Sequence, residues 1–312
     1  MRGYSKQRDK YVSVQGRLVK LTNLSKILFP ETGFTKRELI RYYQQVAPVV
    51  LPHLKDRPFT LKRYPNGVLG QRFYEKQCPH HREKWVRTAW FGGTNYCLLN
   101  DLPTLIWAAN LASIELHTTL ATIVDMNSPN MLVLDLDPGD GVGIDACLEV
   151  AILARASLSR MRLEALAKTS GQKGLHLYLP LNSGVSFETG REFARKLAED
   201  LELTRPDLIT SKMPKKYRAG KVYIDWHQNV DFKTTVTVYS LRANNRPTVS
   251  TPVTWAEIEH AHRSPGRARE LLTFETPDVI RRIGKYGDLF SPVLTLVQKL
   301  PEMTVRKTRV AA

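Results

Sequence analysis

The sequence predicts a mixed α/β fold of the α+β kind, with a partly antiparallel sheet. Strand-length apolar runs and amphipathic helical stretches mix along the chain without strict alternation, which argues against a doubly wound parallel sheet. Hydrophobic residues make up 42% of the 312 positions, enough for a substantial core. No linker-like stretch divides the chain, so one large domain or two fused lobes is expected.

In chain order, residues 11–24 alternate as a strand through Tyr11, Val12, Val14, Leu18, Val19 and Leu21, and a short helical turn follows at 25–28. Thr35-Lys-Arg-Glu38 is a capping-box pattern, in which the threonine accepts the third-residue amide and the glutamate reaches back. It opens a helix through residue 50, bounded by Pro48 and Pro52. Strands are expected at 57–64 and 71–75 around the turn Pro65-Asn66-Gly67. Residues 102–120 read as a buried helix, and 131–136 as a central strand ended by Pro138 and Gly139. An amphipathic helix at 145–166, strands at 175–181 and 221–227, and a helix at 189–201 follow. A strand at 234–241, a helix at 255–262 and a basic helical region complete the chain.

The charge speaks to partners. Subtracting 30 acidic from 46 basic residues leaves +16, which predicts salt-sensitive attraction to a polyanion, with nucleic acid favoured over anionic lipid because no basic amphipathic helix stands out. No apolar run reaches the roughly 18 residues of a membrane-spanning helix, and the basic N-terminus lacks the apolar middle of a signal peptide. A cytoplasmic location follows by default. Cys78, Cys97 and Cys147 make no disulfide framework, and their odd number agrees with a reducing compartment.

Met131-Leu-Val-Leu-Asp-Leu-Asp-Pro-Gly139 carries the sharpest chemical signal. Alternation along a strand puts Val133, Asp135 and Asp137 on one face, with the carboxylates roughly 6–7 Å apart at the backbone. Left alone, two such charges near 4 Å repel by about 4 kcal/mol at an effective dielectric near 20. One divalent cation, or two about 3.5–4 Å apart, would remove that cost. The alternatives are acids that merely end a strand and cap the next helix, and a phosphatase of the Asp-x-Asp type. Against the latter, Gly139 stands where Thr or Val is usual. Ser170-Gly-Gln-Lys-Gly-Leu-His176 offers a hydroxyl, an ammonium, an imidazole and close backbone amides to phosphate oxygens, though an ordinary hairpin loop would look similar. Asp225, in Val222-Tyr-Ile-Asp-Trp-His227, could be a third metal ligand or an ordinary salt-bridge partner. On an extended strand it shares a face with Tyr223 and His227.

Leu-Asp-Leu-Asp-Pro-Gly, Ser-Gly-Gln-Lys-Gly-Leu-His, Ile-Asp-Trp-His-Gln-Asn and Val-Tyr-Ser-Leu-Arg242, in that order, resemble the polymerase domain of bacterial ligase D. That domain belongs to the archaeo-eukaryotic primase superfamily. Leu21-Thr-Asn-Leu-Ser-Lys26 with Ile-Leu-Phe-Pro, and Leu61-Lys-Arg-Tyr-Pro-Asn-Gly67, extend the resemblance over about 18–300. It implies a primase-polymerase fold, with a central, mostly antiparallel RRM-like catalytic sheet flanked by helices and an N-terminal α/β lobe. The expected parts are a basic extension at 1–17, one catalytic domain at 18–300 and a tail at 301–312. Within the domain come a lobe to about 125, a metal-site core to about 245 and a helical part after it.

The resemblance implies template-dependent gap filling or end extension in non-homologous end joining, a preference for ribonucleoside over deoxyribonucleoside triphosphates, and two Mn²⁺ or Mg²⁺ ions. Gapped or broken double-stranded DNA with a 5′-phosphate would be the substrate, with a DNA ligase and a Ku-like end-binding protein as partners in a prokaryotic nucleoid. No membrane is involved. Carried over residue by residue, Asp135, Asp137 and Asp225 form the catalytic, metal-binding triad. Ser170, Lys173, His176, Gln228, Arg242 and His117 meet the nucleotide. Asn23, Lys26 and Lys36 grip the 5′-phosphate, for which solvated surface lysines are the plain alternative. Phe73 and Tyr74 stack on DNA instead of packing in the core, and Lys62 and Arg63 make a further DNA or nucleotide contact.

Three departures stand out. Tyr74 replaces a frequent Phe, Val238 stands where Pro is expected near Arg242, and Cys78 falls where the family usually has no cysteine. A zinc site from Cys78, His80, His81 and Cys97 is one reading of the last. With no ligase or nuclease motif alongside, a free-standing polymerase unit is expected. A non-catalytic end-bridging module and a metal-dependent nuclease or phosphatase remain as rivals, separable by whether DNA is extended, shortened or merely bound.

Overall fold

The computed structural model describes residues 10–301. The expected N-terminal extension up to residue 9, and the expected tail beyond residue 301, lie outside the described residues. In chain order the elements are β1 (Lys10–Val14), β2 (Arg17–Leu21), β3 (Ile27–Phe29), β4 (Phe34–Thr35), α1 (Lys36–Leu54), β5 (Pro58–Arg63), β6 (Phe73–Glu75), β7 (Thr88–Phe91) and β8 (Thr94–Leu98). Next come α2 (Leu102–Asn110), β9 (Ser113–Thr118), β10 (Met131–Pro138), α3 (Ile144–Arg160), β11 (Leu166–Thr169), β12 (Leu175–Pro180), α4 (Phe187–Thr204), β13 (Ile209–Thr210) and β14 (Val222–Asp225). β15 (Thr235–Val236), β16 (Pro252–Val253), α5 (Trp255–His262), α6 (Ala268–Leu271), α7 (Thr276–Tyr286) and α8 (Pro292–Thr295) finish the chain.

Two sheets organise the molecule. One has the order β13-β14-β10-β12-β11-β16, antiparallel except where β13 meets β14. The other runs β15-β9-β5-β8-β7, with β6 also paired to β5. This is the expected mixed α+β architecture with mostly antiparallel sheets. Among the described residues no helix is long and apolar enough to cross a membrane.

β10 is a strand because Met131, Leu132, Val133, Leu134 and Leu136 are all buried, so both its faces meet core. The capping box of α1 forms in both directions, Glu38 N–H to Thr35 Oγ1 at 3.4 Å and Thr35 N–H to Glu38 Oε2 at 2.6 Å. The helix then runs past Pro48 to Leu54. Both prolines lie on its exposed face, so the carbonyls they leave unbonded reach water.

Several expectations are corrected. The strand expected at 11–24 is the hairpin β1–β2, turned by Gln15 and Gly16 with positive φ, and the helical turn at 25–28 gives way to β3. The helix expected at 102–120 is α2 followed by β9, with Ala112 at φ 59° between them; both are buried all round, which hides their periods. The strand expected at 221–227 stops at Asp225 and becomes a 3₁₀ turn, Trp226–Gln228. Only β15 forms in 234–241, because Tyr239 at φ 63° leaves extended geometry. The helix expected to reach 166 ends at Arg160, and Leu166 already opens β11. Cys78 and Cys97, expected to be free, form a disulfide with Cα atoms 5.0 Å apart, while Cys147 stays free and buried. Spacing could not reveal this, since β8 and the segment after β6 meet only in the fold. With both sulfurs bonded, the zinc reading loses its thiolates, and the odd cysteine count no longer argues for a reducing compartment.

Candidate active site

Strand register builds the site. Lys168 on β11 pairs with His176 on β12, His176 with Asp135 on β10, and Asp135 with Asp225 on β14. Residues directly opposite share a face, so a lysine, a histidine and two acids stand in one row across four strands. Asp137, two residues along β10, joins the same face.

Asp225 is held firmly. Its Oδ1 accepts from His227 N–H at 3.0 Å and from the Tyr223 hydroxyl at 3.1 Å, and its Oδ2 accepts from Gln228 Nε2 at 2.9 Å. The 3₁₀ turn thus replaces the expected strand with a clamp on the acid. Asp135 is the opposite case. His176 Nε2 stands 3.3 Å from its Oδ1, yet this buried oxygen accepts no well-directed hydrogen bond. Burial, then the charges of Asp137 and Asp225, push the Asp135 carboxyl well above the ordinary range. Burial and Asp225 raise Asp137 as well, against the pull of Arg218 and Arg242.

An unpartnered buried carboxylate beside two others suits a hard divalent cation bound through oxygen. As the side chains stand, no three acids, histidines or cysteines among the described residues close around one point. Asp225 is already committed to three donors. A carboxylate has about four lone-pair sites, so it keeps one for an ion.

The turn after β11 faces these acids across a cleft of about 1310 Å³ lined by Asp135, Asp137, Ser170, Lys173, His176 and Arg242, among others. Ser170 Oγ accepts from the Gln172 and Gly174 amides, both at 3.1 Å, so two amides expected to cradle phosphate are already taken. The hydroxyl proton and the exposed Lys173 remain to meet an anion. Both glycines are required. A Cβ on Gly174 would sit 2.0 Å from Leu136 O, and on Gly171, at φ +70°, 2.7 Å from Arg242 Cγ. Arg242 itself donates to Ser170 O at 2.7 Å.

The second sheet supplies the opposite wall. Glu115 on β9 is fully buried and collects Lys62 Nζ at 2.8 Å, His117 Nε2 at 2.8 Å, the Tyr64 hydroxyl at 3.3 Å and the Ala243 amide at 3.1 Å, with Arg242 Nε at 3.4 Å. Burial alone would raise its carboxyl, but the His117 hydrogen bond and the cations Arg242 and Lys62 hold it well below the ordinary range. Glu115 is therefore ionised and accepts from His117 Nε2–H. That leaves His117 Nδ1 buried and unpartnered among the described residues. Gln228 lines the cleft but spends its amide on Asp225. Arg63 bonds Glu75 at 3.0 Å and Leu111 O at 3.1 Å, whereas Lys62 bonds Glu115, and the register of β5 with β9 shifts between them.

Asn23, Lys26 and Lys36 do meet. Lys26 N–H donates to Asn23 O and Lys36 N–H to Lys26 O. Lys36 is buried, bonded through Nζ to Asn110 O at 2.8 Å and Thr22 Oγ1 at 3.3 Å, and so is no solvated surface lysine. Burial, then Lys26 and Arg63, lower its pKa to about 8. Phe73 and Tyr74 are 38% and 51% exposed on β6, which excludes core packing as their role. Tyr74 lies edge-on to His117, with 5.9 Å between centroids.

The family model described as the LigD primase-polymerase domain matches residues 35–290. The chain belongs to this family. It is 41% identical to the multifunctional non-homologous end joining protein LigD of Mycolicibacterium smegmatis, over 88% of this chain and 36% of that protein. Against the bifunctional LigD of Bacillus subtilis the identity is 32%, over 86% of this chain and 43% of the other. The chain thus spans well under half the length of these relatives. Among solved structures, the polymerase domain of Mycobacterium tuberculosis ligase D in complex with DNA superposes with a TM-score of 0.83 at 39% identity, covering 90% of this chain and 99% of that one. In this LigD primase-polymerase domain, three side chains at the site escape a reading of the sequence. Lys168 and Glu115 sit in segments assigned to no strand, and Arg218, on the cleft wall, lies in a loop. Alternation around His117 signals Glu115 alone, since Lys168 meets His176 only through the pairing of β11 with β12.

Proposed function

We propose that the chain is a template-dependent nucleotidyltransferase that fills short gaps or extends DNA ends in non-homologous end joining, with ribonucleotides preferred. The row of acids facing the Ser170–His176 turn across one cleft carries this reading. The names of the relatives, and the DNA bound to the solved neighbour, support its DNA-repair context.

Asp135, Asp137 and Asp225 would hold two Mn²⁺ or Mg²⁺ ions, and the unpartnered Oδ1 of Asp135 fits that role. Such ions supply Lewis-acid activation of a primer 3′-hydroxyl and of the triphosphate. Lys173, the Ser170 hydroxyl and His176 orient the triphosphate and neutralise its charge, and Arg242 fixes the turn that presents them. Asn23, Lys26 and Lys36 anchor the 5′-phosphate beyond a gap, with help from the N-terminus of α1. Phe73 and Tyr74 offer stacking faces at the duplex junction. A DNA ligase and a Ku-like protein would share the pathway.

The test is extension of a gapped duplex with each nucleotide type, with and without Mn²⁺ and the recessed 5′-phosphate. Asp137→Ala should abolish extension and spare DNA binding; extension by this variant at a comparable rate refutes the assignment.

A further inference from the structure

Lys168 has no exposed surface, and no carboxylate among the described residues bonds it. Burial, with Arg242 nearby, holds its pKa well below the ordinary lysine range, and even the neutral amine has two N–H groups for its neighbours to accept. Ser250 Oγ lies 2.7 Å from Nζ and gives its own hydrogen to Thr169 O at 2.8 Å, so toward Lys168 it accepts. The Tyr178 ring takes a second side, 5.4 Å from Nζ to centroid. The third contact is His176 Nδ1, at 3.0 Å.

His176 is thereby held at Nδ1 by Lys168, while Nε2 faces Asp135 Oδ1 at 3.3 Å without a well-directed hydrogen bond. Nε2 is the ring nitrogen turned to the cleft, where an arriving phosphate oxygen can only accept. The ring proton belongs on Nε2, and Nδ1 then needs a donor. We propose that Lys168 is a positioning residue that donates to His176 Nδ1 and keeps the ring proton on Nε2, aimed at the triphosphate. This rests on the nucleotide-binding reading above. The opposite tautomer would present a lone pair where a donor is required.

The test begins with the free protein and needs neither metal nor activity. Nitrogen-15 spectra of the histidine-labelled chain, with His176 assigned by comparison with His176→Gln, report which ring nitrogen carries the proton. The expected result is Nε2–H with Nδ1 as a hydrogen-bonded acceptor, and a ring protonated at Nδ1 overturns the proposal without any Lys168 variant. Lys168→Met, similar in size but without a donor, should give mixed tautomers. It should weaken binding of ATP with Mn²⁺ by about tenfold, the effect of one hydrogen bond of about 1.4 kcal/mol. Lys168→Gln, whose amide can donate, should recover most of both signals. Unaltered tautomer and ATP affinity in Lys168→Met would overturn the positioning role. If the wild-type chain carries Nε2–H but binds no ATP, the nucleotide reading fails and the aim of the clamp fails with it.

Discussion

Asp135→Asn should stabilise the metal-free protein while removing its response to divalent cations. Asp225 stands directly opposite Asp135, and Asp137 lies two residues along the same strand. Directly opposed side chains have Cβ atoms about 5 Å apart, so each repulsion is about 3 kcal/mol at most with an effective dielectric near 20. The exposure of Asp137 and the nearby Lys168, Arg218 and Arg242 reduce the net to about 1–3 kcal/mol. A carboxyl raised in the folded state costs stability progressively as the pH climbs above its ordinary value, the cost being complete above the raised one, whereas in acid the bound proton relieves it. The neutral amide removes this term at pH 7. Unfolding entropy near 2.1 cal/mol/K per residue gives about 0.65 kcal/mol/K for this length, so the melting point in chelator should rise by about 2–5 °C. Mn²⁺ at a hundred times its Kd should add about 2.7 kcal/mol, or about 4 °C, to the wild type and far less to the variant. Calorimetry with and without Mn²⁺ measures both shifts. A variant of native spectrum that melts below the wild type in chelator, or keeps the full Mn²⁺ shift, refutes the argument.

Discrimination between 5′-phosphorylated and unphosphorylated gaps should shrink from pH 7 to pH 9, because Lys36 loses its charge through about 8 as the pH rises. Bound phosphate delays the change, Lys36→Arg should flatten it, and a wild-type ratio constant over that range in a binding titration counts against the pocket. Replacing Lys26 and Lys36 together should weaken binding to phosphorylated gaps more than to unphosphorylated ones. Phe73→Ala and Tyr74→Ala should each cost roughly 1–3 kcal/mol in affinity for a gapped duplex if bases stack on them, read by anisotropy against an unchanged melting point. Reducing the Cys78–Cys97 bond, which closes a 19-residue separation, should lower stability by about 3 kcal/mol; equal denaturant midpoints with and without reductant would contradict that.

The central strand and its two acids were legible because strand alternation is local and Pro138 and Gly139 mark the end. The capping box at Thr35 was legible for the same reason. What failed were segments where burial is uniform: α2 and β9 form one apolar stretch with no visible period. Tyr239 failed otherwise, since a positive φ at a tyrosine is imposed by surroundings, here by Tyr239 N–H and Ser250 O at 2.8 Å and the hydroxyl bond to Asp288 at 2.7 Å. The disulfide and the shielding of Lys36 are products of tertiary contact. The resemblance supplied site residues that no local rule could.

The two walls of the cleft answer each other electrostatically. On the sheet that carries Asp135 three acids are crowded and under-compensated, and two of their carboxyls are raised. On the other sheet one acid, Glu115, is over-compensated by Lys62 and Arg242, takes a hydrogen bond from His117, and is held far below its ordinary range. The first wall is left short of positive charge and the second carries a surplus, spread on side chains that one carboxylate keeps in place. A nucleoside triphosphate with divalent cations has this polarity built in, with metal toward the acids and phosphate oxygens toward the surplus. A phosphate monoester would satisfy neither wall fully, and bare DNA would be repelled by the first. The charge asymmetry, which needs both sheets and therefore the whole fold, favours nucleotidyl transfer over the phosphatase and bridging readings more strongly than the acid motif does alone.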